Sequence, residues 1–226
     1  MGNNFLISAL CAVCAAVFFS DVHAVSFSYA GTFSADDDVV LFNFSVDTES
    51  SVILRTYGYG GGVQDDGNAV AAGGFDPVLT LFDDAGLIIG GSVDDPTGES
   101  AVDMATGLAL DAFLDQALPA GSYTVALTQY DNIIPGGTFD IGFFRVGDPA
   151  FTARLPDVNG SCSNGQFCSY DSLGNPVNRS SAWALDIRNV VSASVVPAPA
   201  AAWLFGSGLL GLIALARRNS AQETNA

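Results

Sequence analysis

The chain has 226 residues, with 24 acidic side chains against seven basic ones and a formal net charge of −17. An acidic surface of this strength repels nucleic-acid phosphates and anionic lipid headgroups, so nucleic-acid binding is excluded. The sequence has no lysine and one histidine, His23, and this excludes Schiff-base and P-loop chemistry throughout. Removal of a leader that ends at Ala24 would also exclude histidine catalysis and zinc sites with imidazole ligands.

An apolar run at residues 5–19 predicts an N-terminal signal helix within residues 1–24. The tripeptide Val22-His23-Ala24 has the small-residue pattern of a cleavage site, so we expect signal peptidase to cut between Ala24 and Val25. The four residues before the run contain no lysine or arginine. An uncleaved N-terminal anchor is therefore the alternative.

Residues 25–194 are long enough for one domain, and their short apolar segments between Gly, Asp, Asn and Pro turns predict an all-β sandwich or barrel. Strands are predicted at residues 25–33, 40–46, 51–59, 77–82, 87–90, 121–130, 139–146 and 183–188. Residues 60–74 are glycine-rich and predict a flexible surface loop. Residues 108–118 fit a strand or a helical turn equally well.

Alternation of side chains within three of these strands predicts which face is buried. The inward positions are Val40, Phe42, Phe44 and Val46, then Tyr123, Val125 and Leu127, and finally Trp183, Leu185 and Ile187.

Export would bring the chain into an oxidising compartment, where Cys162 and Cys168 of the segment CSNGQFC are expected to form a disulfide.

Carboxylates at strand ends are candidate calcium ligands, because Ca²⁺ takes six to eight oxygen atoms, often from turns. The candidates are Asp36, Asp38, Asp76, Asp131 and Asn132. The alternative is a structural role, with Asp76 capping the turn before Pro77 and Asp131 and Asn132 forming an Asx-turn.

Aromatic side chains beside the loops are candidate platforms for sugar stacking, namely Tyr57, Tyr59, Phe75 and Tyr170.

The C-terminal segment, residues 195–218, has a Pro-punctuated entry, an uncharged apolar run at residues 200–216 and a basic stop. A helix over that run would be about 25 Å long, close to the ~30 Å hydrocarbon core of a bilayer. Snorkelling of Arg217 and Arg218 would make up the difference and place residues 219–226 in the cytoplasm. The segment predicts a transmembrane helix, and a buried core helix is the alternative.

This tripartite segment resembles the PEP-CTERM sorting signal of Gram-negative bacteria. The matching residues are Val196, Pro197 and Pro199, residues 203–212, and Arg217 and Arg218, with Ala198 where the motif has glutamate. The resemblance implies export, anchoring in the inner membrane, processing by an exosortase, and a final place on the cell surface or in the extracellular matrix. It also implies association with exopolysaccharide.

The body of the chain is similar to a bacterial pre-peptidase C-terminal-type β-sandwich, in the form found in PEP-CTERM proteins. The matching residues are Phe33, Asp36, Asp37, Asp38, Phe42, Asn43 and Phe44, then Phe75, Asp76, Pro77, Leu79, Leu81, Phe82 and Asp83, and residues 118–125, 127–132, 164–168 and 183–187. The resemblance implies an antiparallel jelly-roll sandwich with a non-catalytic accessory role.

We therefore expect an exported, non-enzymatic surface or matrix protein. A calcium-dependent carbohydrate-binding module is the second hypothesis. A secreted hydrolase is the third, and it would have to use paired carboxylates, since those are the reactive groups that remain.

Overall fold

The computed structural model describes residues 25–154 and 162–197. The strands in these ranges are β1 Val25–Thr32, β2 Val40–Val46, β3 Ser50–Thr56, β4 Gly62–Val63, β5 Ala69–Val70, β6 Pro77–Phe82, β7 Ile88–Ser92, β8 Phe113–Leu118, β9 Gly121–Gln129, β10 Cys168–Tyr170, β11 Pro176–Asn178, β12 Ala182–Val190 and β13 Ser192–Val195. Two short 3-10 helices, Phe139–Ile141 and Phe151–Arg154, complete the regular structure of the described residues.

Two antiparallel sheets form the body of the molecule. One has four strands in the order β1-β12-β3-β8, and the other has five strands in the order β13-β2-β9-β6-β7. In most connections between consecutive strands of the two sheets, the chain crosses from one sheet to the other. Strands that are neighbours in the sequence therefore usually lie in opposite layers. The prediction of an all-β sandwich with antiparallel sheets is confirmed.

The core lies between the two sheets and is built from their inward-facing side chains. Phe42, Val125 and Leu185 are each 0% exposed, and they come from β2, β9 and β12. The predicted inward positions of these strands are confirmed, apart from Val40, which is only partly buried. Burial of one such side chain contributes about 1.5–3 kcal/mol, which makes this cluster the main source of stability.

The segment after β9 departs from the prediction. Residues 139–146 were expected to form a strand, and this expectation is wrong: a 3-10 helix at Phe139–Ile141 is followed by turns. Gly142 has a φ of 79°, a left-handed conformation that ends the helix and that only glycine adopts freely. Phe143 then packs beside Phe82, Ala126 and Ile134 in a second apolar cluster. Packing on the sheet, rather than pairing within it, satisfies the apolar side chains of this segment.

Two other segments are more regular than their sequences suggest. The glycine-rich segment 60–74 contains a short hairpin, in which β4 pairs with β5. Residues 108–118, where strand and helix were both open, form strand β8 in their second half, and β8 pairs with β3. In both cases the partner strand supplies hydrogen bonds that the local sequence does not indicate.

The predicted signal and transmembrane helices lie outside the described residues, as do Ala24, Pro199, Arg217 and Arg218. Val25 is the first residue of β1. At the other end, the Val196 N–H donates to the carbonyl oxygen of Leu41 at 2.8 Å, so the chain follows the sheet edge as far as Val196. Within residues 25–154 and 162–197, no helix is long and apolar enough to cross a membrane.

Replacing Phe42 with alanine tests the position of the core. The ring is fully buried and packs edge-on against Trp183 at a centroid distance of 5.8 Å. We expect Phe42→Ala to lower the free energy of unfolding by about 3–5 kcal/mol, because it removes buried area and leaves a cavity. Leu173→Ala, at a side chain that is 80% exposed, is the control and should change it by less than about 0.5 kcal/mol. Urea denaturation measures both, and equal effects would contradict this placement of the core.

Candidate functional site

A groove of about 640 Å³ lies on the outer face of the five-stranded sheet. Its floor consists of two rows of small polar side chains that cross β13, β2 and β9. The registers Ser194↔Asn43↔Thr124 and Ser192↔Ser45↔Ser122 form these rows. They arise because the positions between the buried residues of each strand must point outward.

Hydrogen bonds tie the floor together. The Thr124 hydroxyl donates to the Asn43 Oδ1 atom at 2.9 Å, and the Ser45 and Ser192 hydroxyl groups lie 2.6 Å apart. These side chains can each form further hydrogen bonds, as donor or acceptor, on the side that faces the groove. The arrangement is a flat, hydroxyl-rich surface of a size common for ligand sites.

One wall of the groove is acidic. Asp83, Asp84 and Asp140 line it, together with the ring of Phe139. The two contributing loops are neighbours, because the Phe139 N–H donates to the Gly86 carbonyl oxygen at 2.8 Å. The three carboxylates that line the groove therefore stand on the same side of it. Asp83 also has a structural role, since its Oδ1 accepts the N–H groups of Ala85 and Leu87 at 3.0 and 2.8 Å.

The aromatic side chains proposed for sugar stacking are mostly buried. Tyr57, Tyr59 and Phe75 are 6%, 0% and 1% exposed, so the expectation that they form exposed platforms is wrong. Tyr170 is partly buried. Phe139, which is 37% exposed, is instead the aromatic side chain at the groove. Large aromatic side chains on sandwich strands fill the core because this buries the most apolar area.

Asp36, a predicted calcium ligand, is 0% exposed and holds two loops in place. Its Oδ2 accepts the Thr152 N–H at 2.9 Å and the Thr152 hydroxyl at 2.5 Å, and its Oδ1 accepts the Phe167 N–H at 2.6 Å. Burial raises the pKa of this carboxyl, and the hydrogen bonds oppose the rise. Phe167 belongs to the loop closed by a disulfide between Cys162 and Cys168, whose Cα atoms lie 5.7 Å apart.

Three more of the predicted ligands bind protein groups. The Asp38 Oδ2 accepts backbone N–H groups of the preceding turn, from Ser34 at 2.5 Å and from Ala35 at 3.2 Å. Asp131 forms a bidentate pair with Arg145, with both N–O distances 2.7 Å. Asn132 is 0% exposed; its Nδ2 donates to the Asp37 carbonyl oxygen and its Oδ1 accepts the Arg145 N–H. All of these contacts are with groups of the protein itself, so the three side chains have structural roles.

Asp76 is the exception among the predicted ligands. Its Oδ1 is out of contact with solvent and has no hydrogen-bond partner, although the residue as a whole is only partly buried. Burial, followed by the charges of Asp94 and Asp111, raises the pKa of Asp76 well above its usual range, and Arg179 opposes the rise. A buried acceptor without a donor is rare in folded proteins.

The surroundings of Asp76 are polar and closely packed. Arg179 is 5% exposed and pairs with Asp103 at 3.0 Å, while its Nε and Nη2 donate to the carbonyl oxygens of Gly74 and Tyr59. Asp111 accepts the N–H groups of Tyr59 at 3.1 Å and Gly60 at 2.7 Å. These contacts join four loops at one end of the sandwich.

Two further polar residues were not among the candidates from the sequence: Asp94, whose charge contributes to the raised pKa of Asp76, and Gln129. Gln129 is 1% exposed and its Oε1 also lacks a hydrogen-bond partner. The signal was present, since Gln129 occupies the next inward position after Tyr123, Val125 and Leu127. No group of three or more His, Cys, Asp or Glu side chains able to hold a metal occurs among residues 25–154 and 162–197. The predicted five-residue calcium site stays a prediction.

No protein-family model matches the chain, and no curated protein matches it. The groove and the buried polar region are therefore two features of the described residues that bear on function.

Replacing Asp36 with alanine tests its structural role. The change leaves the N–H groups of Thr152 and Phe167 without their acceptor, so we expect the free energy of unfolding to fall by about 2–4 kcal/mol. Asp36→Asn keeps one acceptor oxygen and should cost less. Asp47→Ala, at an exposed position, is the control and should change stability by less than about 0.5 kcal/mol. If chemical denaturation shows Asp36→Ala to be as stable as the control, this role is refuted.

Proposed function

We propose that the protein is an exported, non-enzymatic surface or extracellular-matrix protein whose sandwich binds exopolysaccharide in the outer groove. The observation that carries the proposal is the floor of the groove. Six hydroxyl or amide side chains form two rows across three strands, on a face that is open to solvent. A flat array of this kind suits a chain of sugar hydroxyl groups, which need many weak donors and acceptors along an extended surface.

The negative charge of the groove favours a neutral polysaccharide over an acidic one as the ligand. Asp83, Asp84 and Asp140 would repel the carboxylates or sulfates of an acidic chain. A second candidate, calcium-dependent carbohydrate binding, is favoured by the same three carboxylates, because a bound cation would allow acidic sugars to approach. Binding in the presence and absence of a chelator separates these two candidates.

The position of the groove carboxylates supports a non-enzymatic role. Glycoside hydrolysis uses two carboxyl groups that face each other across the scissile bond, about 5–10 Å apart. Asp84 and Asp140 instead come from neighbouring loops on one wall. A hydrolase of this kind is therefore not the function that we propose.

The path of the protein to the surface is the second part of the proposal. Signal peptidase cuts after Ala24, the C-terminal helix holds the precursor in the inner membrane, and an exosortase processes it at the segment that begins with Val196 and Pro197. The similarity of residues 195–218 to a PEP-CTERM signal supports this route. We further propose that the sandwich is of the jelly-roll type, which the repeated passage of the chain between the two sheets supports.

Substitution in the groove tests polysaccharide binding. We expect Asn43→Ala and Phe139→Ala each to weaken the binding of the neutral exopolysaccharide of the producing cells about tenfold, which corresponds to about 1.4 kcal/mol. The reason is that the first removes the centre of a polar row and the second removes the aromatic wall. Affinity electrophoresis in gels containing the polymer measures the effect, with Leu173→Ala as the control. Unchanged mobility of the wild-type protein in the polymer gel would refute the proposal.

Mass spectrometry of the protein isolated from its cells tests the route. We expect a mature chain that begins at Val25 and lacks Arg217 and Arg218. The double variant R217A/R218A should accumulate as a longer precursor, because the basic stop that orients the helix is lost. R217K/R218K keeps the charge and is the matched control. Recovery of the intact C-terminus from wild-type cells would contradict processing.

A further inference from the structure

Four exposed apolar or aromatic side chains lie close together at one end of the sandwich, and we call them the end patch. They are Tyr130, Ile133, Phe144 and Val146, which are 41%, 38%, 61% and 68% exposed. The Phe144 N–H donates to the Ile133 carbonyl oxygen at 2.8 Å, and this bond joins the two segments that carry the patch. A cluster of exposed apolar side chains on a globular domain marks a candidate contact surface.

The chain leaves the sandwich beside the end patch. The Val196 N–H donates to the Leu41 carbonyl oxygen at 2.8 Å. The Leu41 side chain packs in the second apolar cluster, together with Ile134 and Phe143. These two cluster residues directly adjoin members of the end patch in the sequence. The last described residues and the end patch therefore lie at the same end of the five-stranded sheet.

The tether between the sandwich and the proposed transmembrane helix is short. The apolar run begins at residue 200, four residues after Val196, and four extended residues reach at most about 14 Å. The headgroup layer on each side of a bilayer is about 5–8 Å thick. In the membrane-anchored precursor, the end of the sandwich that carries the end patch therefore lies at the headgroup layer or just above it.

The charged side chains beside the end patch already have partners within the protein. Arg145 forms its bidentate pair with Asp131, and its Cζ atom lies 4.6 Å from the centre of the Phe144 ring. The Asp37 Oδ2 accepts the Gly147 N–H at 2.9 Å. A paired charge is easier to bring to a membrane interface than a free one, since its partner offsets part of the lost hydration.

We propose that the end patch is a membrane contact, which seats the sandwich on the bilayer while the precursor is anchored. Apolar and aromatic side chains favour the interfacial layer, where they meet both headgroups and acyl chains. The net charge of −17 opposes contact with anionic lipid, so zwitterionic phospholipid is the partner. The tether makes the contact intramolecular, so even a weak interaction is populated.

This orientation leaves the polysaccharide groove clear of the membrane. Asn43 and Ser45 lie two and four residues beyond Leu41 on β2, so the polar rows stand about 7 and 13 Å further along the sheet. Cleavage by the exosortase would remove the tether, and a patch of four side chains would then release the domain. The inference rests on the proposed transmembrane route and is independent of polysaccharide binding.

Quenching by brominated lipid tests the contact in the full-length chain, reconstituted in phosphatidylcholine vesicles. The background variant is Trp203→Phe, which removes the tryptophan of the apolar run and keeps the buried Trp183. Phe144→Trp and, separately, Tyr130→Trp place a probe in the end patch. We expect bromine on the acyl chain near the headgroup to quench each probe at least twofold, and replacing half of the lipid by phosphatidylglycerol to weaken this quenching.

The control probe is Thr48→Trp in the same background. Thr48 is exposed in the turn after β2, and the seven residues of that strand place it about 20 Å from the end patch. We expect this probe to be unquenched. Quenching of the control as strong as that of the two patch probes would overturn the proposed orientation.

Removing the apolar side chains should weaken the contact without unfolding the domain. In the Tyr130→Trp chain, the double change F144S/V146S should reduce quenching by at least half, and the melting temperature should stay unchanged because both positions are exposed. Leu87→Ser, at an exposed apolar position in the turn at the opposite end of the sheet, is the matched control and should keep full quenching. Equal quenching in the double variant and the control would refute the role of the patch.

Flotation of the same vesicles separates this inference from the proposed route. If the wild-type chain does not float with the lipid, the transmembrane route and the membrane contact both fail. A chain that floats while both patch probes stay unquenched would overturn the membrane contact alone. A blue-shifted emission without quenching, growing with the protein-to-lipid ratio, would assign the end patch to a second copy of the chain and overturn the membrane contact as well.

Discussion

The alternation of side chains along each strand is the constraint on which the rest of the structure depends. In β2 and β9, the positions that bury Phe42 and Val125 in the core leave Asn43 and Thr124 on the outer face. Antiparallel pairing then aligns these outward residues into rows. The floor of the groove is therefore a direct consequence of the way the core is packed, and a one-residue shift in register would bury the polar rows and expose the apolar ones.

A second constraint is the shortage of positive charge. Residues 25–195 carry 22 acidic residues and five arginines, so most of these carboxylates have no arginine partner. The buried carboxylates illustrate three solutions to this problem. Asp103 pairs with Arg179, while Asp36 and Asp111 accept backbone N–H groups. The Oδ1 of Asp76 has neither kind of partner, and burial raises the pKa of this carboxyl well above its usual range, which favours the neutral form.

Much of the fold was predictable from local patterns, because the apolar residues of β2, β9 and β12 alternate with the period of a strand. The conformation of residues 139–146, a 3-10 helix at Phe139–Ile141 followed by turns, was not predictable in this way. The apolar residues of this segment also suit a strand, but Gly142 ends the regular structure and Phe143 packs on the outer face of the sheet. The candidate ligands depend on long-range contacts in the same way: Asp131 was singled out from its place after a strand, while its pairing with Arg145 required the fold.

The sequence by itself determined the all-β class, the inward faces of three strands, the strongly acidic surface and the lack of lysine chemistry, since each depends on composition or on spacing within one strand. Only the tertiary structure decided which carboxylates have hydrogen-bond or ion-pair partners. Asp36 and Asp76 both lie just outside strands, yet the carboxyl of Asp36 meets three donors while the buried Oδ1 of Asp76 meets none. The donors of Asp36 come from residues more than 110 positions away, and no local pattern encodes contacts of that range.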